Sequence, residues 1–191
     1  MVIDDRNLIE KFKKGNKESF SLLYDKYVDK IFKFIYFKTS HRETAEDLCS
    51  QTFIKALEKL DNFSFNNNAY FSAWLYTIAR NTVIDYYRRS NKSKNDLNID
   101  DVWDISDNTD ILEDLEFKQK TEIIAKYIKK LNSEQREIIM LKIFEDLSYR
   151  EISEILDKNE GACKMSFCRA IKTLRKEMPL LSFVSLFLIK L

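Results

Sequence analysis

The residues best suited to chemistry in this sequence lie on one face of a basic helix near its C-terminal end. Residues 147–175 have the pattern of a helix-turn-helix, and the second helix is predicted over 160–176. Positions three or four apart share a helix face, and this face is mostly basic: Gly161, Lys164, Met165, Cys168, Arg169 and Lys172. Such a face suits the major groove of duplex DNA. An αα-hairpin with a solvated basic side would show the same pattern.

The first helix of this pair is predicted from its start signals. Ser148 and Glu151 have the spacing of a capping box, in which each side chain accepts a hydrogen bond from the other residue's backbone N–H. Leu147 and Ile152 can pack together across the helix entry. Residues 157–159, Asp-Lys-Asn, predict a turn whose last residue caps the second helix.

A second candidate surface combines tyrosine with arginine. The helix predicted over residues 70–89 places Tyr76 and Arg80 on one side and ends in Arg88 and Arg89. Aromatic rings stack on unpaired bases and guanidinium groups bind phosphates, so the combination suits single-stranded nucleic acid. Arginine at a helix C-terminus also interacts favourably with the helix dipole and stabilises the helix, which is the simpler interpretation. The predicted inward side comprises Phe71, Trp74, Leu75, Ile78 and Tyr86.

An earlier helix offers a candidate protein-binding strip. A capping box at Ser40 and Glu43 predicts its start. Its predicted inward face comprises Ala45, Leu48, Cys49, Thr52, Phe53, Ala56, Leu57 and Leu60. Its outward face carries Asp47, Gln51 and Ile54. An apolar anchor between polar residues is typical of interfaces, although a single exposed Ile is ordinary.

The composition predicts an all-α fold without a catalytic, metal or cofactor site. Two Gly and one Pro in 191 residues leave little material for phosphate-binding loops, and helix-forming runs dominate. Three Cys without a C-x-x-C pair and a single His offer no zinc site. No arrangement of nucleophile and base indicates an enzyme. Without a signal peptide or a membrane-length apolar stretch, we expect a soluble, cytoplasmic protein with reduced thiols.

The charge distribution divides the chain into two basic blocks and an acidic segment. Lys and Arg number 16 against 12 Asp and Glu in residues 1–92, 2 against 9 in 93–118, and 14 against 10 in 119–191. We therefore expect two small helical domains, 1–92 and 119–178, joined by an acidic linker at 93–118. The linker is either a solvated tether, the simpler interpretation, or a segment that covers basic surfaces and hinders nucleic-acid binding.

The tail, residues 179–191, is strongly apolar and admits three interpretations. In the first, the tail folds back onto the second domain as part of its core. In the second it binds a regulator, and in the third it contacts a membrane surface. The first is favoured, and the membrane surface is the weakest of the three because the tail has a single Lys and no clear polar face.

Three segments in order resemble the extracytoplasmic-function (ECF) sigma factors, the promoter-specificity subunits of bacterial RNA polymerase. AEDLCSQTFIKAL at 45–57 is similar to the polymerase-binding segment of sigma region 2. FSAWLYTIARNTVIDYYRR at 71–89 is similar to the helix that reads the −10 element and opens the strands, and 131–176 resembles region 4, which reads the −35 element. The resemblance implies a sigma factor whose partners are core polymerase, promoter DNA and an anti-sigma factor, with no cofactor or small-molecule substrate.

The resemblance also implies roles for individual residues. The strip of Asp47, Gln51 and Ile54 would face the clamp helices of the polymerase's largest subunit. The −10 element would meet Asn66, Asn67 and Asn68 in a loop, and the opened strand would meet Tyr76, Arg80, Arg88 and Arg89. The −35 element would meet Lys164, Met165, Cys168 and Arg169, with Arg150 and Lys172 on its phosphates.

The helix expected to read the −35 element departs from the family pattern. Where relatives commonly show a Thr-Val-Lys-Ser-Arg-like tract, residues 162–166 are Ala-Cys-Lys-Met-Ser. Met165 and Cys168 suit thymine methyl groups or recognition of DNA shape. The main competing interpretation is an autonomous helix-turn-helix regulator that does not depend on core polymerase; a pure interaction module is a third.

Overall fold

Every regular element in the described part of the chain is helical, as the composition predicts. A computed structural model describes residues 4–65, 70–90, 127–180 and 183. The N-terminal unit, residues 4–90, contains α1 (Asp5–Lys13), α2 (Glu18–Thr39), α3 (Arg42–Lys59) and α4 (Phe71–Ser90), with a 3₁₀ turn at Leu60–Asn62. The C-terminal unit, residues 127–183, contains α5 (Ser133–Ile139), a π-helical turn (Met140–Phe144), α6 (Tyr149–Leu156) and α7 (Glu160–Glu177).

The N-terminal unit is organised around α2. The sequence predicts a short helix with Leu8, Ile9 and Phe12 that Gly15 ends. Gly15 follows α1 at a φ of 95°, a left-handed conformation that glycine adopts without strain. The sequence predicts one apolar stripe along α2, formed by Phe20, Leu23, Tyr24, Tyr27, Ile31, Phe34 and Ile35. Five of these residues are buried: Leu23, Tyr27, Ile31, Phe34 and Ile35. Tyr24 departs from this prediction: it is 41% exposed, and its ring packs edge-on against Phe53 at a centroid distance of 4.7 Å.

The predicted capping box at Ser40 and Glu43 is wrong. Ser40 has a φ of 52° and serves as the left-handed C-cap of α2. The N-cap of α3 is His41, whose ring Nδ1 accepts a hydrogen bond from the Thr44 N–H at 3.3 Å. The backbone thus needs Ser40 to close one helix, so the next residue opens the other.

The helix-turn-helix forms as predicted. Ser148 and Glu151 make the reciprocal capping box of α6. Asp157, at a φ of 53°, closes that helix, and the Asn159 side chain accepts from the Ala162 N–H at 2.7 Å to start α7. Leu147 and Ile152, the expected pair at the helix entry, are both buried.

The two units share one hydrophobic core. The cluster built from α1–α4 continues into the C-terminal unit through Ile138, Leu141, Leu147, Ile152, Ile155, Leu156 and Cys163. Helix α4 packs directly against α6, and α6 packs against α7. A smaller cluster in the C-terminal unit includes Ile139, Leu174 and Met178. Phe183 packs against it, so at this residue the tail adds to the core, as the favoured interpretation expects.

Several sequence predictions fall outside the described residues. They are the loop positions 66–68, the acidic linker 93–118 and the tail beyond residue 180 except Phe183. Within the described helices, none is long and apolar enough to cross a membrane. In the same part of the chain, no three His, Cys, Asp or Glu side chains gather into a group able to hold a metal ion.

Candidate nucleic-acid interface

The outward face of α3 presents the predicted protein-binding strip to solvent. Asp47, Gln51 and Ile54 are all exposed, and Ile54 has 57% of its surface accessible. The predicted inward residues are buried except Leu57, which is 43% exposed and lies one turn beyond Ile54. The prediction that Leu57 faces inward is therefore wrong. The exposed Ile-Leu pair enlarges the apolar part of the strip.

A cavity of about 350 Å³ lies beside this strip, between α3 and α4. Gln51 and Arg89 both line it, so the structure brings together residues that the sequence assigns to polymerase and to DNA. The Lys55 ammonium donates to the Thr82 hydroxyl at 3.0 Å and joins the two helices here. Arg88 is exposed at the same helix end, 4.0 Å from the Asp85 carboxylate.

The other two candidate strand-binding residues of α4 lie against the C-terminal unit. Tyr76 is only 1% exposed, and its ring packs edge-on against Phe34 at 5.2 Å. Its hydroxyl donates to the Glu145 carboxylate. Burial raises the pKa of Tyr76 and Glu145 raises it further, so the phenol stays protonated and remains a donor. Burial also raises the pKa of Glu145.

Arg80 shares a buried carboxylate with Lys38. The Glu137 Oε1 atom accepts from Lys38 Nζ at 2.7 Å and from Arg80 Nε at 3.2 Å. Burial alone would raise the pKa of Glu137, but the two cations outweigh it and hold that pKa below its usual value. Burial lowers the pKa of Lys38, an effect that Glu137 only partly offsets. The cluster therefore holds one carboxylate between two cations.

The loop after α3 is held by residues of α1. The Lys13 ammonium donates to the Phe63 carbonyl oxygen, and the Arg6 guanidinium lies 4.8 Å from the centre of the Phe65 ring. The two phenylalanine rings pack edge-to-face at 5.0 Å. Phe63 also packs against Trp74 of α4. These contacts fix the chain immediately before the three asparagines predicted to meet the −10 element.

On the function that the resemblance implies, we expect Lys13→Met to reduce promoter opening about three- to tenfold, because loss of one hydrogen bond to the loop costs about 1 kcal/mol of loop ordering. Permanganate footprinting of open complexes measures the effect. Lys11→Met, an exposed position in the last turn of the same helix, is the matched control and should open promoters normally. Equal opening by both variants would contradict the positioning role of Lys13.

The predicted DNA-reading face of α7 is exposed as a unit. Lys164, Met165, Cys168, Arg169 and Lys172 are all accessible, whereas Cys163, Ser166, Ala170 and Leu174 form the buried side. Met165 is 56% exposed. Lys164 pairs with Glu160 at 2.6 Å. Arg150 of α6 is exposed, and its guanidinium lies 5.8 Å from the centre of the Tyr70 ring.

Comparison with known proteins decides the family. The model of sigma-70 region 2 matches residues 23–93, and that of sigma-70 region 4 matches residues 121–174. The ECF RNA polymerase sigma factor SigW of Bacillus subtilis is 33% identical over 192 residues, which cover 93% of this chain and 97% of SigW. The chain belongs to the ECF sigma factor family. The RNA polymerase sigma factor YlaC of the same organism is also 33% identical, over 85% of this chain and 94% of YlaC.

The ECF sigma factor relatives differ in length, and solved structures share the fold. The ECF RNA polymerase sigma factor BldN of Streptomyces coelicolor is 32% identical over 90% of this chain, which spans 65% of BldN. CnrH, solved in complex with the cytosolic domain of CnrY, superposes with a TM-score of 0.67 at 22% identity, covering 90% of this chain and 95% of CnrH. The sigma factor RpoE of Bartonella quintana, solved with the anti-sigma factor NepR, gives 0.62 at 24% identity, covering 83% and 96%.

Sequence reasoning about this ECF sigma factor missed the contacts by which acidic residues join its two units. Glu137, Glu145 and Glu151 bind partners 57 to 99 residues away along the chain. Local periodicity carries no signal for such pairs. The one local clue is Glu137 itself, a charged residue directly before the apolar run at 138–141.

Proposed function

We propose that this chain is an alternative sigma factor that binds core RNA polymerase and directs it to promoters by recognising their −10 and −35 elements and opening the strands. Residues 1–92 act as region 2 and residues 119–178 as region 4. The observation that carries the proposal is that one chain exposes both the Asp47, Gln51 and Ile54 strip of α3 and the basic face of α7. The polymerase supplies all catalysis.

The division of labour follows from the chemistry of the side chains. The α3 strip offers an apolar anchor within a polar rim, which suits a protein partner. The α7 face offers cations for phosphates and apolar side chains for thymine methyl groups. Arg88, Arg89 and the loop before α4 contribute guanidinium groups and aromatic rings for an opened strand. We place the protein in the cytoplasm, where polymerase is, and infer an anti-sigma factor as a further partner.

Reconstituted transcription from a library of randomised promoters tests this function. With core polymerase and this protein, we expect RNA from a subset of templates that share two sequence elements, and none from those templates with core alone. The autonomous regulator would instead bind duplex DNA tightly and specifically without polymerase. That result, together with no stimulated transcription, would contradict the sigma function.

On the α7 face, we expect Arg169→Ala and Lys172→Ala to weaken promoters in different ways. Arg169 can make a bidentate contact with guanine, so its loss should cost about 1–3 kcal/mol and relax preference at one base position. Lys172 is expected to bind phosphate, so its loss should weaken all promoters alike and reduce the salt dependence. Sequencing the templates selected by each variant measures both effects. An unchanged base preference for Arg169→Ala would contradict the guanine contact.

A further inference from the structure

Three glutamates of the C-terminal unit reach polar groups of the N-terminal unit across the surface where the units meet, which we name the inter-unit interface. Glu137 binds Lys38 and Arg80, and Glu145 accepts from the Tyr76 hydroxyl. Glu151 caps its own helix through one oxygen and accepts from the Ser72 hydroxyl through the other. Phe37 and Phe144 pack at 5.6 Å beside them. Polar and apolar contacts thus both hold the C-terminal unit against the N-terminal unit at the inter-unit interface.

This interface covers part of the surface that promoter DNA is proposed to use. Tyr76 is buried there, and the Arg80 side chain is 23% exposed with its Nε bound by Glu137. A carboxylate and a phosphate compete for the same guanidinium hydrogen-bond donors. A strand bound to Arg80 and stacked on Tyr76 therefore requires the C-terminal unit to leave.

The closed arrangement is also too short to span a promoter. Helix α4 packs on α6, and α6 packs on α7, so two interhelical steps of about 8–10 Å each separate α4 from α7. Elements centred about 35 and 10 base pairs upstream of the start lie about 85 Å apart in duplex DNA, at 3.4 Å per base pair. The two helices cannot occupy both elements without separating.

We propose that the closed arrangement is a self-inhibited resting state in which the C-terminal unit competes with promoter DNA for α4, with Glu137 as the latch. The proposal rests on the proposed sigma function and adds a form of regulation built into the chain. Core polymerase, by binding the exposed α3 strip and holding the C-terminal unit elsewhere, favours the open form.

Glu137 is the latch because two cations depend on it. Its side chain is 8% exposed, and Lys38 is 4% exposed. Removing the carboxylate takes away the acceptor that Arg80 and the buried Lys38 both bind, which is the costly way to break a buried ion pair. In the open form all three side chains return to water. A neutral residue at position 137 therefore penalises the closed form selectively.

Distance measurements on the full chain test the latch. Lys17→Cys adds an exposed thiol to the N-terminal unit, and Cys168 is the exposed thiol of the C-terminal unit, whereas Cys49 and Cys163 are buried. Nitroxide labels at the two exposed sites, measured by pulsed dipolar spectroscopy, should give one narrow distance for the otherwise unchanged chain. Glu137→Gln should shift the closed-to-open ratio at least about a hundredfold, and Glu137→Lys should shift it further.

Glu134→Gln is the matched control. It makes the same charge change on the same helix, but Glu134 pairs with Lys158 inside the C-terminal unit at 2.5 Å. It should keep the narrow distance. Binding of a fluorescein-labelled single-stranded 20-mer of random sequence should tighten about tenfold or more for Glu137→Gln relative to Glu134→Gln, at one salt concentration.

The possible outcomes test the role of Glu137 as the latch separately from the proposed sigma function. A broad distance distribution in the labelled protein with Glu137 intact would overturn the proposal, as would a narrow one that survives both Glu137 variants. Transcription by this chain with core polymerase, combined with either result, would leave the sigma function standing and the latch refuted. Opening by Glu137→Gln without any transcription would support the latch as a conformational device and refute the sigma function.

Discussion

Tyr76→Ala is expected to destabilise the folded chain by about 3–5 kcal/mol, the range for removing a large buried aromatic side chain. Tyr76 is 1% exposed, and its ring packs against Phe34. The substitution empties a space at the inter-unit interface and removes the donor to Glu145. Urea unfolding, monitored by circular dichroism, measures the loss.

Tyr76→Phe is the matched variant, because it keeps the ring and removes only the hydroxyl. It should cost about 1–3 kcal/mol at pH values where Glu145 is ionised, since the buried carboxylate then loses its donor. The hydrogen bond from Tyr76 lowers the pKa of Glu145 against the larger raising effect of burial, so its loss raises that pKa further. The extra cost exists while Glu145 is ionised.

The cost of Tyr76→Phe should therefore fade in acid. When the pKa of a carboxyl group is raised in the folded state, the folded protein becomes less stable as pH rises through that pKa. Because the pKa of Glu145 is higher still in Tyr76→Phe, the variant loses more stability. Below the folded-state pKa of Glu145 in the chain with Tyr76, both proteins hold a neutral carboxyl group and the difference disappears. A penalty for Tyr76→Phe that grows as pH falls would contradict this account of the interface.

The faces of α3 and α4 show where sequence periodicity succeeds and where it fails. Helix α3 has one buried side, and every residue that the pattern predicts to face inward is buried except Leu57. Helix α4 is covered on two sides, by α2 and α3 and by α6. Tyr76, predicted on the outward side, is buried for that reason, and Tyr86, predicted inward, is 36% exposed. The apolar pattern of a single helix does not predict which helix, far along the chain, packs against its second face.

Capping signals show the same limit at the scale of a single residue. The box at Ser148 and Glu151 forms because Ser148 has an extended backbone, with a φ of −67° and a ψ of 156°. The similar signal at Ser40 fails because α2 runs on to Thr39 and needs a left-handed residue to close. Local sequence specified the helix pair well, whereas the buried Glu137 cluster depends on contacts 57 and 99 residues apart.

Ile54→Glu is expected to weaken binding to core polymerase by about 2–4 kcal/mol, or roughly thirty- to a thousandfold in Kd. Ile54 is 57% exposed and lies beside the exposed Leu57 in the α3 strip. An apolar anchor at the centre of an interface carries much of its affinity, and a carboxylate there would be buried without a partner. The folded chain should be unaffected, because Glu is a good helix former at an exposed position.

Met165→Glu separates this effect from a general response to added charge. Met165 is 56% exposed on α7, so it offers the same change at nearly the same exposure, but on the proposed −35 face. It should retain polymerase affinity and lose promoter selection, whereas Ile54→Glu should lose both, because selection requires the polymerase complex. Titration of labelled protein with core polymerase measures the affinities. Equal losses for the two variants would show that charge, and not the α3 strip, determines polymerase binding.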